Sequence, residues 1–496
     1  MAEIQINGLR DWMAEVEKIG ELKRINKPVD LDFEMSSLAY LNGLMPNHPT
    51  LLFEKPKGFD TGTVLFNPIG GSYNRIALAF RLKPGRRPLE LVQYIKNNFS
   101  KIPPVYVPEK DAPVFENVLT GKDIDMFKFP IPKFWPRDGG KYIGTGDIII
   151  TRDPDTDRIN VGCYRQMAME NDKVGFYTSP GKGGGLDREK WWAQGKPLPV
   201  VSVYGVDPLL MIVGATSFSN EESEFDYAGG FAGQPIKLVK GRVTGLPIPA
   251  DCEFAVEGFV YPDPSMTLPE GPLGEFTGYY GRPGGNAPYV KIATHYHRNK
   301  PIHTAAMMAD KPGANDLSVY QAVLRSAKIW SDMEAAGVPG IKGIWTPPCA
   351  AGAWGMTVVS IKQMYAGHAQ QAALVAAGCA GGAYYTKFLW IVDDDIDPTN
   401  MDEVLWAAAS RCRCSEDIEI FRNTWSTGLD PSKNPPEDRP YGSKAFIFAC
   451  KQHKYLNSYS KRSAMTKEAY DNARARWSEV GMPGEPPIIS FFDDMK

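Results

Sequence analysis

The chain has 496 residues, of which 43% are hydrophobic and 23% charged, and its formal net charge is −3. This composition is typical of a soluble globular protein of about two to four domains, and the absence of a block of basic residues argues against nucleic-acid binding. The N-terminus lacks the apolar segment of a signal peptide, and the longest apolar stretch, from Ala372 to Tyr385, is too short for a membrane span.

Residues 1–115 predict a small α/β domain. Apolar residues recur at helical spacing, which predicts an amphipathic helix that ends near Gly20; they are Leu9, Trp12, Val16, Ile19 and Leu22. A strand is predicted over Leu22–Val29. A second helix is expected to run through Ala39, with Asp30 or Asp32 as its N-cap.

Residues 116–312 predict a mainly β domain, either a sandwich or a barrel. Short runs rich in Val, Ile and Tyr alternate with Gly and Pro turns, as expected for strands; they are Asp147–Thr151, Arg158–Tyr164, Val200–Tyr204, Leu210–Val213, Ile236–Val243, Cys252–Tyr261 and Tyr289–His297. The polar segment Arg152–Asp157 between two of these runs predicts a hairpin loop.

Residues 313–338 predict a long helix that connects the β domain to a second α/β domain at residues 339–496. In that last domain the sequence predicts alternating strands and helices; they are a strand at Met356–Lys362, a helix at Ala369–Ala377, a buried parallel strand at Lys387–Val392 and a helix at Met401–Ser410. A C-terminal helix is expected over Lys467–Val480.

The segment Leu268–Arg282, LPEGPLGEFTGYYGR, carries two carboxylates between prolines and glycines. If the rigid backbone turns Glu270 and Glu275 inward, burial and mutual repulsion raise the pKa of one of them, as a general acid/base pair requires. The alternative is an exposed loop in which both glutamates serve solubility alone.

Two further segments carry polar residues between apolar ones. In INVGCYRQ, Asn160 and Arg165 are five positions apart, so a regular strand places them on opposite faces unless it bulges or ends at Gly162. The alternative is an edge strand with a surface arginine. In SEFDYAGG, Glu224 and Asp226 could bind a hard cation through oxygen, or could lie in a solvated acidic turn.

Three other segments leave two interpretations open. The glycines of PGKGGGLD beside Lys182 could form an anion-binding nest, without Walker A spacing, or a flexible loop. The three aspartates that end YTKFLWIVDDD could hold magnesium or could end a strand. His368 could belong to a site or pack in the core.

The PEGPLGEFTGYYG, YRQ, SEFDYAGG, KQMYAGHAQQ and YTKFLWIVDDDID strings together resemble the UbiD family of carboxy-lyases over nearly the full length. The resemblance implies an N-terminal α/β domain, a central split β-barrel that binds flavin, a long connecting helix, and a C-terminal α/β domain that mediates oligomerisation and carries a C-terminal helix. The same division follows independently from the hydrophobic patterns described above.

The resemblance also implies residue roles. Arg165 is expected to bind the substrate carboxylate, Glu275 to act as general acid/base, and Glu270 to be its partner. Asn160 and Glu224 are expected to bind a divalent metal that holds the flavin phosphate. The expected cofactor contacts are Asn160, Gly162, Cys163, Tyr164, Arg165, Lys182 and Glu224.

The sequence departs from the family at the position of a third metal ligand. Many members have a histidine where this chain reads Gly181, Lys182 and Gly183. Either fewer protein ligands hold the metal, or Lys182 meets the phosphate directly.

The function implied by the resemblance is reversible decarboxylation of an aromatic, heteroaromatic or α,β-unsaturated acid, or of an aryl-CoA thioester, with prenylated FMN. The expected metal is Mn²⁺ or Mg²⁺, with Fe²⁺ and an additional K⁺ also considered. A flavin prenyltransferase supplies the cofactor, and a homodimer or homohexamer is expected. The alternatives are an FMN-dependent oxidoreductase on a split barrel, a non-catalytic flavin-binding subunit and a flavin-independent metal decarboxylase.

The seven cysteines are scattered and include no CxxC pair, so a zinc site built from thiolates is not expected. Reduced thiols are typical of a reducing compartment. Together with the missing signal peptide, they predict a cytoplasmic enzyme that binds neither membrane nor nucleic acid.

Overall fold

The computed structural model describes residues 3–179, 181–216, 218, 222–281, 283–433 and 441–489. The described residues divide into two compact units, one drawn from Met1–Ala327, Pro348–Trp354 and Thr427–Pro440, the other from Lys328–Pro347, Gly355–Ser426 and Tyr441–Lys496. The domain boundaries predicted near residues 115, 312 and 338 describe a finer division and stay predictions.

The α-helices among the described residues are α1 Leu9–Lys18, α2 Glu34–Gly43, α3 Tyr73–Ala79, α4 Pro88–Asn97, α5 Gly183–Ala193, α6 Pro208–Gly214, α7 Glu224–Ala232, α8 Asp316–Ala335, α9 His368–Gly378, α10 Met401–Arg411 and α11 Lys467–Ala475. The strands are β1 Leu22–Ile25, β2 Thr50–Phe53, β3 Thr63–Phe66, β4 Val105–Tyr106, β5 Asn117–Thr120, β6 Lys141–Gly144, β7 Asp147–Arg152, β8 Ile159–Gly162, β9 Gln166–Glu170, β10 Lys173–Gly175, β11 Leu198–Tyr204, β12 Lys237–Lys240, β13 Pro247–Pro249, β14 Phe254–Val260, β15 Thr267–Glu270, β16 Gly285–His297, β17 Ile302–Ala305, β18 Ile341–Trp345, β19 Met356–Ile361, β20 Phe388–Asp393, β21 Ile418–Thr424 and β22 Gly442–Ala449.

The first unit is built around a ten-stranded antiparallel sheet with the order β6-β9-β10-β16-β14-β11-β7-β8, while β15 and β5 pair with β16. The two end strands of this order, β6 and β8, are not paired with each other in the described part of the chain, which is consistent with a curled half-barrel. One face packs into a core of aliphatic and aromatic side chains, including Ile149, Val200 and Val256. The hairpin predicted between β7 and β8 is confirmed by their antiparallel pairing.

A second sheet in this unit has the order β1-β2-β3-β17. β17 pairs in parallel with β3, although the two strands are far apart in the chain. The N-terminal segment and the end of the β-rich segment therefore share one sheet. This explains why both segments belong to one compact unit.

The other unit contains the sheet β18-β19-β20-β22-β21. β20 lies between β19 and β22 and is parallel to both, as predicted for a buried apolar run. The predicted helices α9 and α10 are also present.

Several predicted elements were wrong. Leu210–Val213 lies in α6 rather than a strand, because the Asp207 carboxylate accepts the Leu209 N–H and Pro208 occupies the first turn, both helix-start signals. The N-cap of α2 is Phe33, with a φ of 73° and no side-chain cap, rather than Asp30 or Asp32.

The C-terminal helix α11 ends at Ala475, earlier than the predicted Val480. Two segments treated as loops or turns begin helices instead. Gly183 opens α5, and Ser223 caps α7 at the Phe225 N–H. Pro180 of the predicted nest and Arg282 of the predicted glutamate loop lie outside the described residues.

Candidate active site

Arg165 lies in the short connection between β8, which ends at Gly162, and β9, which begins at Gln166. The strand end removes the alternation that would separate Asn160 from Arg165 onto opposite faces. The sequence left open whether the strand bulges or ends at Gly162 or continues as an edge strand with a surface arginine. The structure shows that it ends at Gly162. The Arg165 guanidinium lies over the Tyr177 ring at 4.9 Å from its centroid.

Arg165 binds both predicted glutamates. Its Nε donates to Glu270 Oε1 at 3.0 Å, its Nη2 donates to Glu270 Oε2 at 2.8 Å, and its Nη1 donates to Glu275 Oε1 at 2.6 Å. The pairing with Glu270 is bidentate, the strongest arrangement available to these groups. Three of the five guanidinium N–H groups are thus engaged, and the other two have no partner among the described residues.

The loop that carries the glutamates is fixed at both ends. Glu270 ends β15, and Gly271 follows with a φ of 78°, where a Cβ would also come within 3.1 Å of Arg165 Nη2. The Gly274 N–H donates to Asp138 Oδ1 at 3.0 Å, and the Glu275 N–H donates to the Tyr279 carbonyl at 3.0 Å. Glycine at position 271 therefore permits both the turn and the close approach of the arginine.

Burial sets the protonation of this cluster. Burial raises the pKa of Glu275, against the opposing effect of the neighbouring Arg165 guanidinium. For Arg165, burial lowers the pKa, but Glu275 and Glu270 outweigh it and the net pKa is raised. Burial also raises the pKa of Asp138 to about 6. Glu275 is consequently easier to keep protonated than an ordinary glutamate, which suits a proton donor.

Two residues that sequence patterns did not single out support the cluster. The Tyr142 hydroxyl donates to Glu270 Oε1 at 3.2 Å, and Asp138 accepts the Trp135 N–H at 2.8 Å as well as the Gly274 N–H. Both lie in the segment WPRDGGKY, residues 135–142. The signal available in this segment is an acidic residue directly before a Gly-Gly pair.

A pocket of about 360 Å³ opens beside Glu275. Its volume is within the range of small-molecule sites. Aromatic side chains make up much of its wall, and the charged residues are few; the lining comprises Tyr40, Trp135, Pro136, Arg137, Gly274, Glu275, Gly278, Tyr279, Tyr280, Met308, Ala309 and Asp310.

A second polar cluster lies at the other end of the same β8–β9 segment. Glu224 Oε2 accepts the Val161 N–H at 2.8 Å, and Asn160 Nδ2 donates to Thr151 Oγ1 at 3.1 Å. The Tyr164 hydroxyl accepts the Gly184 N–H at 2.9 Å and lies 3.4 Å from Asn160 Nδ2.

The start of α5 lies directly against this cluster. A Cβ on Gly183 would come within 2.0 Å of Asn160 Oδ1. Lys182, predicted to bind phosphate, is the N-cap residue immediately before that glycine, and burial lowers its pKa. Burial raises the pKa of Glu224 to about 7. A partly buried cation at the start of a helix suits an anionic group such as a phosphate.

The same residues offer less to a divalent metal. Asn160 and Glu224 supply side-chain oxygens, but one Glu224 oxygen already accepts an amide N–H. Within the described ranges no group of three His, Cys, Asp or Glu side chains could hold a metal ion. A hard cation takes about six oxygen ligands. Asn160 and Glu224 alone would therefore fill only a small part of the shell of such a cation.

The remaining predicted cofactor contacts are Gly162, Cys163 and Tyr164, which lie in the same chain segment. Cys163 Sγ donates to the Met211 carbonyl at 3.3 Å, and burial raises its thiol pKa well above the ordinary value. Tyr164 belongs to the hydrophobic core, and its hydroxyl ties β8 to α5. Direct contact of Gly162, Cys163 or Tyr164 with a cofactor stays a prediction.

The aspartates at the end of β20 and His368 make structural contacts. Asp393 and Asp395 pair with Arg411 at 2.8 and 2.7 Å, so they stabilise the end of β20. His368 is buried, its Nδ1 accepts the Met364 N–H at 3.2 Å, and its Nε2 lies 3.0 Å from the Pro339 carbonyl. Asp226 lies in the first turn of α7, which begins at Glu224, and its main-chain carbonyl accepts the Ile102 N–H.

Three family models match the chain in order. The N-terminal domain of 3-octaprenyl-4-hydroxybenzoate carboxy-lyase, abbreviated UbiD, matches residues 13–95, its Rift-related domain matches residues 105–312, and its C-terminal domain matches residues 318–449. The three matches together extend over most of the sequence.

Solved structures of enzymes from two organisms are similar over nearly the whole chain. Vanillic acid decarboxylase of Sedimentibacter hydroxybenzoicus in its closed form is 26% identical, with a TM-score of 0.84 over 96% of this chain and 99% of that one. The UbiD-class enzyme HmfF of Pelotomaculum thermopropionicum in complex with FMN is 28% identical, with a TM-score of 0.80 over 92% and 97%. An evolved dimeric form of HmfF with prFMN is 26% identical, with a TM-score of 0.79 over 94% and 100%.

Proposed function

The chain belongs to the UbiD family of carboxy-lyases, and we propose that it decarboxylates, reversibly and without oxidation, an aromatic, heteroaromatic or α,β-unsaturated acid. The observation that carries this proposal is the Arg165–Glu270–Glu275 network beside an aromatic pocket. Similar enzymes include a vanillic acid decarboxylase, which favours a free aromatic acid over the aryl-CoA thioester that the sequence also allowed.

The cofactor proposed is prenylated FMN, supported by a UbiD-class relative solved with prFMN. When bound, prenylated FMN supplies an electrophilic sink for the electron pair that decarboxylation leaves on carbon. Lys182, at the start of α5, would hold its phosphate, with Asn160 and Glu224 nearby to bind a divalent Mn²⁺ or Mg²⁺. Fe²⁺ and K⁺ remain part of the proposal without a contact that favours them.

The residues of the chain have separate tasks in the proposed reaction. The two N–H groups of Arg165 that the glutamates leave free would bind the substrate carboxylate. Glu275, whose pKa is raised by burial, would donate a proton to the carbon that loses CO₂ and recover it in the reverse direction. Glu270 would keep the guanidinium in place, and the aromatic pocket would exclude water.

A flavin prenyltransferase is proposed as the partner that supplies the cofactor, and a homodimer or homohexamer as the assembly. No helix in the described part of the chain is long and apolar enough to cross a bilayer. A cytoplasmic location is also proposed, supported by seven free cysteines.

The test is to produce the protein together with a flavin prenyltransferase and to screen aromatic acids for CO₂ release and for deuterium exchange into the product. Release or exchange with at least one acid, dependent on the prenylated cofactor, is the expected result. Turnover with plain FMN and NAD(P)H instead would favour the oxidoreductase. Flavin binding without any turnover would favour a non-catalytic subunit.

A further inference from the structure

Asn160 is held by a hydroxyl on the neighbouring strand, and that hydroxyl is held by an acid. Asn160 on β8 lies directly across from Thr151 on β7, and both residues are buried. Asn160 Nδ2 donates to Thr151 Oγ1 at 3.1 Å, and the Thr151 hydroxyl donates to Asp187 Oδ2 at 2.5 Å. Asp187 lies in α5, the helix that Lys182 precedes, and it is also buried. A buried chain of hydrogen bonds therefore runs from α5 through β7 to Asn160.

The direction of these hydrogen bonds decides which end of the Asn160 amide faces Thr151. A hydroxyl has one proton, and Thr151 gives it to a carboxylate, which can only accept. The Thr151 oxygen therefore has only lone pairs left for Asn160, so the NH₂ group of Asn160 must face it. Arg158 Nη2 lies 3.8 Å from Asp187 Oδ1, and this cation favours the ionised acid. Burial raises the pKa of Asp187 to about 6, so at pH 8 the carboxylate is the main form.

Tyr164 favours the same orientation of the amide. Its hydroxyl oxygen accepts the Gly184 N–H at 2.9 Å and lies 3.4 Å from Asn160 Nδ2, so both polar neighbours of that nitrogen are oxygen atoms. The other end of the amide, Oδ1, faces the start of α5, where a Cβ on Gly183 would come within 2.0 Å of it. Among the described residues, none donates a hydrogen bond to this oxygen. The carbonyl end of Asn160 is thus directed to the end of α5 at which Lys182 lies.

The orientation of Asn160 determines what it can bind. An amide oxygen is a ligand for a hard cation, whereas an amide NH₂ group donates to phosphate oxygens and has no lone pair for a metal. We propose that Asp187 is a positioning residue: through the Thr151 hydroxyl it holds Asn160 with Oδ1 toward the cofactor site, so that Asn160 binds the cation and not the phosphate. The inference rests on the proposed flavin and metal site, and Asp187 and Thr151 act on that site only through Asn160.

The experiment measures the affinity of the full-length protein for Mn²⁺ by calorimetry at pH 8, with FMN at saturating concentration. Asp187→Leu removes the acceptor and Thr151→Val removes the hydroxyl, so either substitution allows the Asn160 amide to turn. Thr151→Ser keeps the hydroxyl. Asp153→Leu is the matched control, because Asp153 is a second buried acid that binds α5, through Lys190 at 2.7 Å. In the described part of the chain Asp153 makes no hydrogen bond to Thr151 or Asn160.

We expect Asp187→Leu and Thr151→Val each to raise the Kd for Mn²⁺ by about tenfold or more, as the loss of a group that orients a metal ligand does. Thr151→Ser and Asp153→Leu should raise it less than about threefold, because neither changes the acceptor or the hydroxyl. An unchanged Kd in both Asp187→Leu and Thr151→Val would overturn the inference, and so would an equal increase in Asp153→Leu. If Asp187→Leu does not fold, Thr151→Val and Thr151→Ser give the same comparison.

A second background separates the orientation of Asn160 from general support of the fold. Asn160→Asp places a carboxylate at this position, which presents an oxygen whichever way it turns and so has no orientation for Asp187 to set. In that background we expect Asp187→Leu or Thr151→Val to change the Kd for Mn²⁺ less than about threefold. The same loss of affinity in both backgrounds would show that these residues act only through the position of α5, and the inference would be wrong.

The outcome is separate from that of the proposed reaction. Mn²⁺ binding that depends on Asp187, in a protein that releases CO₂ from no acid, would count against the proposed reaction alone. If the wild type binds no Mn²⁺ in the presence of FMN, the inference is overturned, whereas CO₂ release that requires prenylated FMN would still support the reaction.

Discussion

Glu275→Gln separates proton donation from structural support. Glutamine has nearly the same shape, and its carbonyl can still accept from Arg165 Nη1, which lies 2.6 Å from the glutamate oxygen. What it cannot do is give up a proton. A general acid contributes about 10²- to 10⁴-fold, so we expect kcat to fall by that factor, equivalent to about 3–5 kcal/mol in the activation free energy.

The effect on stability should be much smaller. Burial disfavours the Glu275 carboxylate, as its raised pKa indicates, so a neutral side chain relieves part of that cost. Arg165 keeps its bidentate partner Glu270. We therefore expect the free energy of unfolding to change by no more than about 1 kcal/mol.

Glu270→Gln is the matched control, because it makes the same chemical change on the same arginine. It removes the charge of the bidentate pair and disturbs the Tyr142 contact, so the free energy of unfolding should fall by about 3 kcal/mol. Glu275→Gln should therefore lose mainly turnover, whereas Glu270→Gln should lose more of the free energy of unfolding.

The assay is CO₂ release by the holoenzyme, together with deuterium exchange into the product in D₂O, which reports proton transfer without the need to detect CO₂. Denaturant unfolding of the same preparations gives the stability difference. Turnover of Glu275→Gln within threefold of the wild type would refute the role of Glu275 as proton donor. Parallel losses of stability and turnover in that variant would show that it acts only through the fold.

The other predictions concern the arginine, the phosphate end and pH. Arg165→Lys should raise KM and lower kcat together, because a lysine cannot hold Glu270 bidentately and bind a carboxylate as well; normal kinetics in a less stable variant would contradict this. Lys182→Gln should weaken FMN binding, measured by flavin fluorescence, more than EDTA weakens it in the wild type, since the described residues include no group of three His, Cys, Asp or Glu side chains that could hold a metal ion; a larger effect of EDTA would show that the metal contributes more to phosphate binding than Lys182 does. Turnover in the decarboxylation direction should fall as pH rises through the raised pKa of Glu275, because the protonated donor is lost there; a rate that keeps rising above that pKa would contradict the assignment.

Much of the fold could be predicted from periodicity, and the exceptions have local causes. Helix α8 carries a long apolar stripe at helical spacing and β20 an apolar run followed by acidic residues, and the structure confirms both elements. Leu210–Val213 is apolar throughout and too short for its period to distinguish strand from helix, so the capping signal of Asp207 and Pro208 decided the outcome. The glycines that open α5 looked like a loop because their intrinsic helix propensity is low.

The active site could be predicted only in part. Arg165 and Glu270 are separated by 105 positions, and no pattern within one segment indicates that they meet. The resemblance to a family named them, and the strand end at Gly162 allows their contact. Asp138 carried no comparable signal, because its role depends on a loop more than a hundred residues away that folds against it.

The same interactions explain why Glu275 can be both buried and reactive. Arg165 has two carboxylate neighbours, and the bidentate geometry gives Glu270 two of its N–H groups, while Glu275 receives one. Glu275 is therefore compensated enough to remain inside the protein, but burial still outweighs the arginine and keeps its pKa raised. Asp138 acts in the same direction, since its nearby carboxyl also raises that pKa while its oxygens hold the loop. The position of Glu275 and its pKa thus depend on the same interactions. A change that loosens the loop at Asp138 must therefore alter both.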